Sequence, residues 1–207
     1  MYETDEEGNT PLMIAAELGH ADVVRCLLEK KADPSETNRR GEDAWDLAMT
    51  NGHTAVLKIL ASEVEDTDEK LLAAVRCCDS GVVNMLLEAG ADANTYFSDS
   101  GETPLMLAID RRDNKKISLR IIKLLLKHGA NLKMRNAEGQ TALIVAASQG
   151  RIHAMRVLLA AGADLTVCDN SGQTALMRLA VDGRPRVIEE VLSCSRHFIK
   201  KRKPQKH

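Results

Sequence analysis

The sequence predicts an all-α fold, a solenoid of repeated helix pairs, and three observations predict it. The phrase Thr10-Pro11-Leu12-Met13-Ile14-Ala15-Ala16 returns as Thr103 to Ile109, Thr141 to Ala147 and Thr174 to Ala180. Undisturbed repeats start 33 residues apart, from Thr10 to Asp43 and from Thr141 to Thr174. Each repeat then carries a glycine-marked break and paired apolar doublets, such as Val23-Val24 with Leu27-Leu28 or Ile121-Ile122 with Leu125-Leu126. Their i, i+1, i+4, i+5 spacing is that of a helix packed on one face. Self-similarity at a fixed period of this length marks stacked units that cannot bury their apolar faces alone.

Each element of the repeat has a local reason. Thr10 and Thr103 are placed to cap an inner helix, with Pro11 and Pro104 at its first position, where a missing N–H costs nothing. Small residues follow, Ala15-Ala16, Ala73-Ala74 and Ala146-Ala147, leaving room for a neighbouring helix. Gly19, Gly52, Gly150 and Gly183 end that helix where a left-handed residue is wanted. The outer helix holds the doublets, also seen at Val56-Leu57 with Leu60, Val82-Val83 with Leu86-Leu87 and Val187-Ile188 with Val191-Leu192. After it, Gly90-Ala91-Asp92, Gly129-Ala130-Asn131 and Gly162-Ala163-Asp164 turn into a short projecting hairpin, or finger. Six repeats are visible: two over residues 1–64, four over 65–195 in one continuous solenoid, then a basic tail over 196–207.

Two spacings are irregular. Asp43 and the equivalent Glu69 are 26 apart, so the hairpin between repeats 2 and 3 is expected to be missing. Thr103 to Thr141 is 38, so five extra residues around Arg111 to Lys116 form an exposed bulge or lengthen a helix. Trp45 occupies the position of Leu12, Leu71 and Leu105 and reads as core.

On these motifs the sequence resembles the ankyrin-repeat family, whose unit is a turn and two antiparallel helices opening on Thr-Pro-Leu-His-x-Ala, from about Asp5 to Cys194. The family's His is Met13, Met106, Ile144 and Met177 here, which predicts a looser polar network between repeats. The resemblance implies non-catalytic binding of a protein partner on the concave face and fingers, as an adaptor, inhibitor or targeting subunit. Its variable positions are the fingertips and the two residues before the inner-helix glycine. They fall on Arg39, Arg40, Glu42, Thr50 and Asn51, then Arg76 and Cys77, then Asp99, Glu102, Asp110 and Arg111, then Glu138, Gln140, Ser148 and Gln149. Tyr96 and Phe97, two of only five aromatic residues, stand together on one finger, and interfaces favour such anchors. Neighbours on a strand face opposite ways, so one is expected under the finger and the other toward a partner. Around Asn94 the segment Leu86 to Asn94 is similar to the finger sequence that an oxygen-dependent asparaginyl hydroxylase modifies in this family.

Little else suggests chemistry. There is no Gly-x-Ser-x-Gly, His-Glu-x-x-His, phosphate-binding loop or dinucleotide fingerprint, so neither an enzyme nor a cofactor or metal is expected. His20 and His53 read as turn residues, and Cys77-Cys78 lacks a second ligand pair. With 28 basic against 30 acidic side chains and mixed signs among the variable positions, a nucleic-acid groove and a small-molecule substrate are not expected. Apolar runs fall short of a membrane span, five cysteines are odd in number, and a monomer in a reducing, cytoplasmic setting is expected. The tail Lys200-Lys201-Arg202-Lys203 fits a nuclear-import signal or an anionic-surface contact. A regulatory or substrate-recognition segment of a larger enzyme or membrane protein is the alternative reading.

Overall fold

The computed structural model describes residues 4–61, 63, 67–110, 115–181, 188–189 and 191–193. Its helices are α1 (Pro11–Glu17), α2 (Ala21–Glu29), α3 (Ala44–Thr50), α4 (Thr54–Leu60), α5 (Thr67–Arg76), α6 (Ser80–Glu88), α7 (Pro104–Asp110), α8 (Lys115–Lys127), α9 (Ala142–Ser148), α10 (Ile152–Ala161) and α11 (Ala175–Val181). The β features among the described residues reduce to one isolated bridge, Cys168 to Thr174. Contacts divide the chain into two compact units, 1–70 with 81–91 and 71–80 with 92–207.

In the first unit α1 pairs with α2 and α3 with α4, while α1 packs on α3 and α2 on α4. The caps explain where the inner helices begin. Thr10 Oγ1 accepts the Met13 N–H at 3.3 Å, and Met13 Sδ accepts the Thr10 N–H at 3.4 Å. A thioether thus completes the reciprocal cap that Glu or Gln usually completes. Asp43 and Asp46 close the same box on α3. The core row is Leu12, Met13, Ala16, Val24, Trp45, Ala48, Val56, Leu57 and Leu60, all at most 1% exposed. Trp45 is core as its position predicts, although its Nε1 has no hydrogen-bond partner. Lys70 Nζ lies 2.6 Å from Asp43 Oδ2 and 3.1 Å from Asp46 Oδ1, tying the third repeat to the cap of the second.

In the second unit α7 packs on α8 and α9, α9 on α10 and α11, and α8 on α10. Inner and outer helices therefore form two parallel rows. Met106, Ile109, Ile121, Ile122, Leu125, Ile144, Ala146, Met155 and Leu158 fill the space between them. The irregular spacings have local outcomes. α5 has 10 residues where the other inner helices have seven, so this helix gains a turn at its start. The hairpin expected to be missing before it falls on 62 and 64–66, outside the described residues. α8 has 13 residues against nine or 10 in α2, α6 and α10, so the insertion partly lengthens a helix; 111–114 lie outside the described residues.

Adjacent repeats are joined by hydrogen bonds at turns and fingers rather than by a polar side chain at the Met13 position. Arg39 N–H donates to Glu7 O at 3.1 Å, Ala137 N–H to Ser100 O at 2.8 Å and Asn170 N–H to Glu138 O at 3.0 Å. His53 Nε2 lies 2.9 Å from the Glu17 carbonyl. This contact holds its ring against Gly19, whose φ of +75° suits glycine; a Cβ there would lie 2.6 Å from His53 Nδ1. Lys31 takes the left-handed conformation (φ +67°) at the place occupied by Gly90, Gly129 and Gly162 in later repeats.

Three stability measurements test this account. Gly19→Ala is expected to cost about 2–3 kcal/mol in denaturant unfolding, and Gly52→Ala, with open space around it, about 1 kcal/mol. The difference measures the His53 contact. Lys31→Gly removes left-handed strain and is expected to raise stability by about 1 kcal/mol. The Arg178 guanidinium, then the backbone N–H of Gln173, hold the Asp169 carboxyl below its ordinary 3.8. A depressed folded value means stability that is full above pH 3.8 and lost as pH falls through the folded value. Acid titration of Asp169→Asn is expected to show a flatter loss in that window.

Candidate partner-binding surface

The fingers are built from one recurring device. An Asp or Asn five residues before the inner helix's N-cap accepts the backbone N–H groups that close the fingertip, as in the Asx turns such residues favour. Asn38 Oδ1 accepts from Arg40 at 2.9 Å and Glu42 at 3.0 Å, and Asn136 Oδ1 from Glu138 at 3.2 Å and Gln140 at 2.8 Å. Asp169 accepts from Ser171 and Gln173, both at 2.9 Å. The carboxyls at the finger bases are also lowered, Asp33 chiefly by the Ser35 hydroxyl and Asp164 chiefly by the Thr166 N–H. Polar atoms that shape the finger are thus consumed inside it, and the side chains between them are left facing solvent.

In the first unit this leaves Arg39, Arg40, Thr50 and Asn51 exposed and Glu42 half-buried. Arg40 Nη2 lies 3.1 Å from Glu7 Oε2, with both side chains more than half exposed, a pair worth little in stability. The amide of Asn51 donates to Leu47 O at 2.9 Å. The rule that selects Thr50 and Asn51 selects Glu17 and Leu18 in the first repeat, and Leu18 is 58% exposed. Leu18 and Ile14 on α1 are apolar surface that the sequence reading passed over, because they look like core residues of an amphipathic helix.

In the second unit the finger after α6 departs from the device. Phe97 N–H donates to Glu102 O, and Gly101 N–H to Phe97 O. The same pair of bonds spans Asn38 to Glu42 and Asn136 to Gln140, so this fingertip is one residue longer and Phe97 takes the place of the Asn. Ser100 Oγ supplies the missing acceptor, receiving the Glu102 N–H at 3.2 Å. Phe97 is half-buried, with the Arg76 guanidinium carbon 5.7 Å from its ring centroid. This distance is within cation–π range. Tyr96 is 58% exposed. The pair is therefore divided, Phe97 as the finger's inner support and Tyr96 as outward surface. Asp99, Arg76 and Cys77 are exposed and Glu102 is half-buried. Among the remaining positions, Glu138 and Ser148 are exposed and Gln140 and Gln149 half-buried. The Asp110 side chain, Arg111 and Lys200 to Lys203 lie outside the described residues.

Asn94 joins two fingers. Its Oδ1 accepts the Asn131 N–H at 2.6 Å, and its Nδ2 donates to Gly129 O at 3.3 Å. Away from the fingers, Ala108, Ile109, Ser118, Ile122 and Ile152 line an apolar cavity of about 340 Å³. Among the described residues no group of His, Cys, Asp and Glu is arranged to hold a metal ion, and no helix is long and apolar enough to cross a membrane.

Comparison with known proteins agrees with this geometry. A family model of three ankyrin repeats matches residues 1–71 and 114–202. The mouse B-cell lymphoma 3 protein homolog is 30% identical over 169 residues, covering 74% of this chain and 36% of that protein. The human neurogenic locus notch homolog protein 1 is 28% identical over 154 residues, 70% of this chain and 6% of that protein. The chain thus spans about a third or less of these curated relatives. The crystal structure of the ankyrin repeat domain of Bcl-3, a unique member of the IkappaB protein family, aligns with a TM-score of 0.79 at 29% identity, over 92% of this chain and 85% of that one. By its paired helices, its finger turns and these matches, the chain belongs to the ankyrin-repeat family.

Proposed function

We propose that the chain is a non-catalytic interaction module that holds a protein partner against its fingers and the ends of its inner helices, as an adaptor, inhibitor or targeting subunit. The observation that carries this reading is the division of labour at one fingertip. Phe97 supports the finger from within, and Tyr96 stands outside it, 58% exposed, on the same finger as the exposed Asp99. A rigid aromatic anchor among polar neighbours is the composition of an interface hot spot. Because the fingers are held by backbone hydrogen bonds before any partner arrives, little ordering cost attends binding.

A second reading, a recognition segment within a larger protein, is favoured by the length of the relatives, of which the match covers 36% and 6%. Hydroxylation of Asn94 is also proposed. Both polar ends of its amide are engaged, so modification requires the two fingers to part, and intact-mass analysis of chain treated with the hydroxylase reads it directly.

The test of partner binding compares the intact chain with Tyr96→Ala and with Arg39→Ala/Arg40→Ala in affinity capture, all matched for helicity and melting. Tyr96→Ala is expected to weaken a captured partner by about 2 kcal/mol, roughly 30-fold. Equal capture by all three chains would overturn the finger-side assignment.

A further inference from the structure

The near-neutral total conceals a division of charge. Residues 1–110 carry 8 basic and 23 acidic side chains, and residues 111–207 carry 20 basic and seven acidic. Part of the basic excess is organised on the outer-helix row of the second unit, away from the fingers. On α8, Lys116, Arg120, Lys123 and Lys127 are all exposed, while Ser118, Ile121, Ile122 and Leu125 between them are buried. At 100° and 1.5 Å per residue these four cations occupy a stripe ~60° wide and ~16 Å long. α10 packs beside α8 and adds exposed His153 and Arg156. Neither helix contains an acidic residue. Arg120, Lys123 and Lys127 have no ion-pair partner among the described residues. The first turn of α8 holds exposed Lys116 and no acid, the unfavourable charge for a helix N-terminus. The patch therefore gathers like charges that neither helix neutralises from within.

We propose that this outer-helix stripe is a second docking surface, whose occupant is a short, extended acidic segment of a protein partner. Three observations favour that occupant over other anions. Successive cations along α8 are ~6, ~4.5 and ~6 Å apart in rise. An extended chain rises ~3.3 Å per residue, so an acidic segment of about six residues spans the stripe. No Phe, Tyr or Trp lies on α8 or α10 to stack a base, as single-strand binders require. A duplex or a bilayer extends far beyond ~16 Å, whereas a short peptide is matched in length to the stripe.

The full-length chain is titrated, by fluorescence anisotropy, into a labelled peptide of alternating Glu and Ser and into a labelled DNA duplex. Vesicles of phosphatidylcholine and phosphatidylserine are tested by co-sedimentation. The peptide is expected to bind, more weakly as salt rises, and Arg120→Glu/Lys123→Glu, folded by circular dichroism, is expected to weaken it by at least about tenfold. Tyr96→Ala and a chain with Lys200, Lys201, Arg202 and Lys203 all changed to Gln are expected to bind as the parent does. Because Tyr96→Ala tests the finger surface and the α8 pair tests this one, failure of either reading is seen separately. The inference is overturned by absent peptide binding, by a charge-reversed chain that binds as well as the parent, or by loss of binding in the tail variant. Tighter binding to duplex or vesicles overturns it too, as does salt-sensitive self-association that the α8 substitutions abolish, which would make a second copy of the chain the occupant.

Discussion

Neither helix of a repeat is stable by itself, and everything else in this protein follows from that. α1 has seven residues and α2 nine, below the roughly 12–15 that an isolated helix needs in water. Their apolar residues become core when the next pair is laid against them, which is how Ala16, Ala48, Ala74 and Ala146 come to be wholly buried. Stacking demands register, and the turns supply it. Gly19 allows the His53 ring to lie against the preceding turn, and the finger bonds from Arg39, Ala137 and Asn170 fasten the second, fifth and sixth repeats each to the one before it. At the start of α5, a half-buried lysine between two aspartates makes the join.

The same constraint separates packing from recognition. A side chain at a core position is committed on every side, while a fingertip residue such as Tyr96 or Arg39 is held in place by a backbone that does not depend on its identity. Variation there costs little stability, so one scaffold can carry mixed charges along its fingers and a cationic stripe along its outer helices. The two surfaces differ in what they offer, an aromatic anchor with polar neighbours on the finger and exposed positive charge on the outer helices.

The cap residues and the pair Tyr96-Phe97 show where sequence reasoning reached and where it stopped. Thr10 and Thr103 cap as their position implies. Thr141, in the same position, makes no cap bond through its side chain, and its hydroxyl is buried without a partner. Met13 reads as an apolar replacement, yet its sulfur also accepts a hydrogen bond, which composition could not reveal. The adjacency of two aromatics implied opposite roles, but the longer fingertip that puts Phe97 in the place of an Asn emerged from the hydrogen bonds.

By itself, the sequence determined the repeat, the helix pairs, most of the left-handed turns and most of the core residues, because each follows a pattern that recurs with the period of 33 residues. The tertiary structure alone decided which surfaces those repeats present. Lys123 and Arg156 lie exactly one period apart and read separately as solvated lysine and arginine; α8 and α10 bring them onto one row. Charge adds across neighbours in space, and neighbours in a stacked fold are residues a whole repeat apart.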